Sequence, residues 1–171
     1  MKLDVTHTIA VNAEKLWNFY HSPQYEAYYP SRIGLQAYEV IETKETDQYV
    51  YRRVRVVPQI PSAAQSLVNK VLKMNGIAYE ETQKRYKDPK RMWLEWGTLL
   101  PMVQDKIHIE GTLEFVPVDD RSCKRILRGD VQVKVFGVGG QIEKMIISGV
   151  TDTYEKMARI AEQYARENGL A

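Results

Sequence analysis

The sequence predicts an α+β fold in which a curved antiparallel β-sheet wraps around one long C-terminal α-helix. The segment Gly139–Asn168 carries an uninterrupted amphipathic helix pattern, and a helix of that length spans roughly 45 Å. Most of the chain before it has β-strand patterns joined by short, turn-like links, which favour antiparallel pairing of successive strands. The strands are apolar on one face only, as expected for a sheet covered on one side.

The chain begins with a strand and two short helices. Apolar and polar residues alternate from Leu3 to Val11, the pattern of a half-buried strand. Asn12 should cap the first helix, because its side-chain oxygen can accept an unpaired backbone N–H. Ser22 and Pro23 should start the second helix, with proline at the first helical position, where its missing N–H costs nothing.

Six further strand patterns separate these helices from the long one, at residues 34–43, 49–57, 77–86, 92–100, 107–116 and 124–136. An extra helix is predicted near residues 62–74, where Ser62 and Gln65 have the spacing of a capping box. Its apolar stripe has two open interpretations, as a lid over a cavity or as a part of the core.

A curved sheet that wraps around one helix forms a cup. The inner faces are rich in methionine, valine, isoleucine and aromatic residues, with Arg52 as an exception. We therefore expect an internal cavity that binds an apolar ligand. The predicted ligand-binding residues are Val54, Val56, Leu94, Trp96, Ile109, Leu113, Val131, Met145 and Val150.

Composition limits the class of protein. The 171 residues, 44% hydrophobic and 27% charged, are most simply one domain, residues 1–171. A net charge of +2 is too small to indicate a nucleic-acid partner. Cys123 is the only cysteine, so no internal disulfide is expected. The N-terminus lacks the apolar stretch of a secretion signal and no segment has the ~18 apolar residues of a membrane span, so a cytoplasmic protein is predicted.

No catalytic or cofactor motif stands out. The three histidines are scattered without metal-ligand spacing, so neither a metal nor a cofactor is predicted. The alternation of the first strand places His7 on its inner face, and we expect His7 to have no catalytic role. Glu80, Glu81 and Glu95 are candidates for acid–base groups, although a solvated strand face explains them equally well. The basic residues near 52–55 and 84–91 are expected to pair with acidic neighbours across the strands.

The order of a strand, two short helices, a β-meander and a long C-terminal helix is that of the helix-grip fold. The opening Val5-Thr-His-Thr-Ile-Ala-Val-Asn-Ala-Glu-Lys-Leu-Trp-Asn-Phe resembles the first strand and helix of the START-like (SRPBCC) superfamily. The closing Val138-Gly-Gly-Gln-Ile-Glu-Lys-Met-Ile resembles an uncharacterised bacterial branch of it, a domain of unknown function. The resemblance covers essentially the whole chain and implies a ligand pocket. It implies no catalytic residue, because the superfamily shares none.

Three functions are consistent with the sequence. The leading hypothesis is non-catalytic binding or transfer of a lipid or other hydrophobic small molecule, with transient membrane contact as a further possibility. The second is an enzyme of the polyketide aromatase/cyclase type, which a polar cluster in the cavity around His7 would favour. The third is a regulatory module that holds an apolar helix of a partner protein in the groove. The sequence makes no prediction of the oligomeric state.

Overall fold

Among the residues that the structure describes, seven antiparallel strands form one sheet in the order β1-β7-β6-β5-β4-β3-β2. The computed structural model describes residues 1–59, 78–101 and 103–170. The strands are β1 (Lys2–Ile9), β2 (Leu35–Glu45), β3 (Tyr49–Pro58), β4 (Tyr79–Tyr86), β5 (Met92–Leu99), β6 (Ile107–Asp119) and β7 (Ser122–Val133). The predicted fold class is confirmed. The helix predicted near residues 62–74 lies outside the described residues.

Two short helices follow β1 and carry the predicted caps. Helix α1 (Ala13–Tyr20) is capped by Asn12, whose Oδ1 accepts the N–H groups of Glu14 and Lys15 at 3.0 and 3.1 Å. Helix α2 (Pro23–Tyr28) is capped by Ser22 and has proline in its first turn. These caps satisfy N–H groups that a helix start leaves unpaired, and so both helix starts are fixed by local sequence.

The long helix α3 (Gly139–Glu167) packs against β7 and β1. Its first residue lies so close to β7 that a Cβ on Gly139 would be 2.4 Å from the Val133 carbonyl oxygen. On the outer face, Arg159 and Glu155 form an ion pair one turn apart. Within the described residues, no helix is long and apolar enough to cross a membrane.

The buried core divides into two clusters along α3. One contains Ala158, Ala161 and Ala165 of the C-terminal half of α3, together with residues of β1, α1 and α2. The other packs against Ile142 in the first turn. No side chain between Ile142 and Ala158 is fully buried. The middle of α3 therefore faces a space that neither core cluster fills.

Candidate functional site

A cavity of about 530 Å³ lies between the middle of α3 and the inner face of the sheet. The α3 residues on its wall recur at helical spacing, one or two per turn. They are Ile142, Met145, Ile146, Gly149, Val150, Thr153, Tyr154 and Met157. A single amphipathic stripe thus forms one whole side of the cavity.

Gly149 widens the cavity at the centre of this stripe. A glycine inside a helix is unfavourable by about 1 kcal/mol relative to alanine. A Cβ added here would meet no atom of the described residues within 4 Å. With respect to the described residues, Gly149 therefore leaves open space where any other residue would place a side chain.

The opposite side of the cavity is an apolar sheet surface with one large aromatic ring. Leu94 and Trp96 of β5 lie beside Ile109 and Leu113 of β6 in the wall. A Cβ on Gly129 would lie 3.0 Å from Cζ2 of the Trp96 indole. The absence of a side chain at Gly129 thus lets the Trp96 ring lie against the sheet.

Seven of the nine predicted ligand-binding residues line the cavity: Val56, Leu94, Trp96, Ile109, Leu113, Met145 and Val150. Val54 and Val131 do not, although both are fully buried. Val131 belongs to the cluster that packs against Ile142, so its side chain faces core. That any of the seven contacts a ligand stays a prediction.

A carboxyl group, Glu81, lies in the cavity wall on β4. Its Oε1 accepts a hydrogen bond from Nε2 of Gln83 at 2.6 Å. Burial raises the pKa of Glu81, and the opposing effects of the Gln83 hydrogen bond and of Arg52 are smaller. The cavity therefore contains an acid whose neutral form is favoured more than that of a solvated glutamate.

Tyrosine side chains surround Glu81 on several elements. Tyr29, Tyr38, Tyr79 and Tyr154 all line the cavity. Burial, reinforced by the nearby Glu81 charge, raises the pKa of Tyr38 to about 12. The same two causes act on Tyr79 and Tyr154. These hydroxyls stay protonated at ordinary pH, so they are available as hydrogen-bond donors.

A buried arginine is hydrogen-bonded to two tyrosines of the cavity wall. Arg125 on β7 is 1% exposed and donates hydrogen bonds to the Tyr20 hydroxyl and the Tyr154 carbonyl. One of its nitrogens lies 3.3 Å from Nδ1 of His7, and burial together with the Arg125 charge lowers the pKa of His7. His7 is not among the wall residues. The polar cluster of the cavity is centred on Glu81 and not on His7.

A second, smaller space of about 410 Å³, here called the side hollow, adjoins the cavity. It shares four wall residues with the cavity: His21, Arg52, Gln83 and Leu94. Glu26 of α2, Glu45 of β2 and Arg85 of β4 complete its charged wall. In the part of the chain that the structure describes, no group of three or more His, Cys, Asp or Glu side chains could hold a metal ion.

Of the three candidate acid–base residues Glu80, Glu81 and Glu95, only Glu81 lies in the cavity wall, and the sequence pattern alone did not distinguish it from a residue on a solvated strand face. Inward positions of β4 are Tyr79, Glu81, Gln83 and Arg85. None of them is aliphatic, so the strand has no apolar alternation that would identify its inner face. The available signal was Arg52, an inward charge on β3, which faces Gln83 across the strand pair.

Solved structures with a similar architecture identify the fold. The chain resembles the Zhui aromatase/cyclase from Streptomyces sp. R1128, at 15% identity and a TM-score of 0.67 over 100% of this chain and 96% of that one. It resembles norcoclaurine synthase from Thalictrum flavum, at 16% identity and a TM-score of 0.66 over 98% and 87%. A START superfamily protein from Mycobacterium smegmatis matches at 16% identity and a TM-score of 0.57, over 97% of each chain.

These likenesses define a START-like, helix-grip fold, and at such low identity they concern the fold alone. Within that class, the chain belongs to the family described as Protein of unknown function (DUF2505), whose model matches residues 4–165. A comparison with curated proteins found no match.

Proposed function

We propose that this protein binds a lipid or another hydrophobic small molecule in the cavity, without transforming it. The observation that carries the proposal is the 530 Å³ space lined by the α3 stripe and the apolar surface of β5 and β6. Burial of apolar ligand surface gains about 25 cal/mol per Å². Met145 and Met157 suit such a role, because the methionine side chain adapts its shape to different apolar partners.

One protein of similar fold has been solved with small organic molecules bound. Norcoclaurine synthase from Thalictrum flavum was solved in complex with dopamine and hydroxybenzaldehyde. Its likeness to this chain is 15% in sequence with a TM-score of 0.62. It supports a small-molecule site in this architecture without indicating which molecule binds here.

Gly149 allows a direct test. Gly149→Phe should fill the cavity from within the α3 stripe and abolish binding of Nile red, an uncharged apolar fluorescent probe. Gly140→Phe is the matched control, because Gly140 is a glycine of the same helix that also has open space around it and lies outside the cavity wall. Nile red binding that survives Gly149→Phe, or is lost equally in both variants, would contradict a site in this cavity.

Acid–base catalysis of the aromatase/cyclase type is a second candidate. It is favoured by Glu81, a carboxyl group with a raised pKa that faces the cavity among protonated tyrosines. A buried neutral carboxyl can donate a proton to a developing enolate or alkoxide oxygen, and its carboxylate can then take up a proton from carbon. The tyrosine hydroxyls would stabilise the same oxygen through hydrogen bonds.

Native mass spectrometry of the purified protein distinguishes the two functions. A binding protein should retain the same co-purified molecule in the wild type and in Glu81→Gln. An enzyme should retain product in the wild type and substrate in Glu81→Gln, and the two would differ in mass if the reaction removes water. Glu80→Gln is the matched control, since Glu80 is the adjacent residue and lies 3.6 Å from Arg53 in an ion pair outside the cavity wall.

A further inference from the structure

The charged groups of the side hollow are not evenly paired. Glu26 forms an ion pair with Arg52. Glu45 lies 2.6 Å from the Lys87 ammonium. Arg85 forms no ion pair or side-chain hydrogen bond with any residue that the structure describes. Each carboxylate of this wall therefore has a cation, and one guanidinium is left over.

Arg85 is held in an environment that disfavours its charge. It is half-buried, and burial together with the neighbouring Arg52 charge lowers its pKa. Glu45 and Glu26 oppose these two effects but do not outweigh them. The guanidinium stays protonated, so Arg85 is a charge that has lost water without a compensating ion pair among the described residues. An anion bound in the side hollow would offset the unfavourable effects of burial and of the Arg52 charge on the Arg85 guanidinium.

His21 makes the wall polar without adding charge. Burial, reinforced by Arg85 and Arg52, lowers the pKa of His21 to about 3. Its ring packs edge-on against Trp17 with centroids 4.3 Å apart. The imidazole is therefore neutral near pH 7, and Arg85 remains the cation available to a ligand.

The side hollow is positioned to take one end of a molecule that occupies the cavity. His21, Arg52, Gln83 and Leu94 belong to both walls, so the two spaces adjoin. We propose that the side hollow binds the anionic group, a carboxylate or a phosphate, of the molecule whose apolar part fills the cavity, with Arg85 as its main partner. This inference rests on the proposed function. The planar guanidinium suits both groups, because it can donate two parallel hydrogen bonds to either.

Dodecanoic acid and 1-dodecanol test the inference, since they have the same chain and differ in the terminal group. Their binding is measured by displacement of Nile red at pH 8, where the acid is ionised. The wild type should prefer the acid by roughly tenfold or more, as expected for a charge-assisted hydrogen bond. Arg85→Gln should remove this preference and leave dodecanol affinity unchanged. Arg55→Gln is the matched control, because Arg55 is an exposed arginine of the adjacent strand.

The possible results separate the inference from the proposed function. Equal affinity for acid and alcohol, or an acid preference that survives Arg85→Gln, would overturn the inference while leaving cavity binding intact. Binding of neither probe would contradict the proposed function and the inference with it. If Arg85→Gln does not fold, Arg85→Lys replaces it, and should weaken acid binding without affecting dodecanol.

Inorganic phosphate, titrated separately against tryptophan fluorescence, distinguishes a free anion from the charged end of an apolar ligand. If phosphate binds in an Arg85-dependent manner and the protein does not prefer dodecanoic acid to dodecanol, the side hollow is a site for free anions and the inference is overturned. Weak binding of phosphate together with a strong preference for dodecanoic acid over dodecanol would support the inference.

Discussion

His21 should make this protein sensitive to mild acid. In the unfolded chain its pKa is that of free histidine, 6.5, and in the folded protein burial lowers it to about 3. Between these values the unfolded chain binds a proton that the folded protein does not, so the free energy of unfolding falls as the pH decreases. The stabilisation is complete above pH 6.5 and is lost progressively on the way to pH 3.

The loss of unfolding free energy at pH 5 follows from the folded and unfolded pKa values of His21. At that pH nearly every unfolded molecule has a protonated His21 and almost no folded molecule does. The free energy of unfolding is therefore about 2 kcal/mol lower at pH 5 than at pH 7.5. This figure depends mainly on the unfolded value, because any folded pKa below about 4 gives nearly the same result at pH 5.

Urea unfolding followed by tryptophan fluorescence at pH 7.5 and pH 5 measures this loss. His21→Gln cannot take up the proton, so it should lose about 2 kcal/mol less than the wild type over the same interval. His7 titrates in both proteins, and its contribution cancels in the comparison. Parallel pH dependence in the wild type and His21→Gln would refute the burial argument.

Three further variants test the cavity and the sheet around it. Burial favours the neutral acid of Glu81 in the folded state, so the free energy of unfolding of the wild type should fall as the pH rises above 4.5, by about 1.4 kcal/mol for each unit by which the folded pKa is raised. Glu81→Gln should remove this loss, and equal dependence of the unfolding free energy on pH in both proteins between pH 4.5 and 8 would contradict the prediction. Gly149→Ala should stabilise the protein by about 1 kcal/mol in thermal unfolding, through helix propensity in open space. Gly111→Ala should destabilise it by about 3 kcal/mol, since the new Cβ would lie 2.0 Å from the Arg128 carbonyl oxygen. An unchanged melting temperature for either glycine variant would contradict its prediction.

The sequence was sufficient for the sheet and the long helix because one face of each is buried. Ile107, Ile109 and Leu113 alternate with polar residues on β6, and the structure places all three on the inner face. Strand ends were less predictable. The predicted β6 pattern ends at residue 116, whereas the strand runs to Asp119, which pairs with Ser122 across the hairpin. Backbone hydrogen bonds extend a strand beyond its apolar pattern, so alternation alone misses the last residues.

The site was less predictable for two different reasons. Alternation shows that a residue points inward, but it does not show whether a cavity or packed core lies there. Val131 and Ile109 are register partners on neighbouring strands, yet only Ile109 reaches the cavity wall, since Val131 lies in the cluster of Ile142. The second reason concerns Glu81, which the sequence offered as a candidate acid–base group; because it is polar, a hydrophobic pattern could not show that it points into the cavity and not toward solvent.

The division of the cavity wall into an apolar and a polar part bears on the kind of ligand expected under the proposed function. The α3 stripe and the β5–β6 surface are mostly apolar, while Glu81 and Gln83 lie on β4. Nε1 of Trp96 is buried and has no hydrogen-bond partner among the described residues. A pure hydrocarbon would displace water from the polar wall without replacing its hydrogen bonds, at about 1–3 kcal/mol for each group left unpaired. A molecule with one polar end keeps the gain from apolar burial and avoids this cost. Under the proposed function, we therefore expect an amphipathic ligand, oriented with its polar end toward β4 and its apolar part along α3.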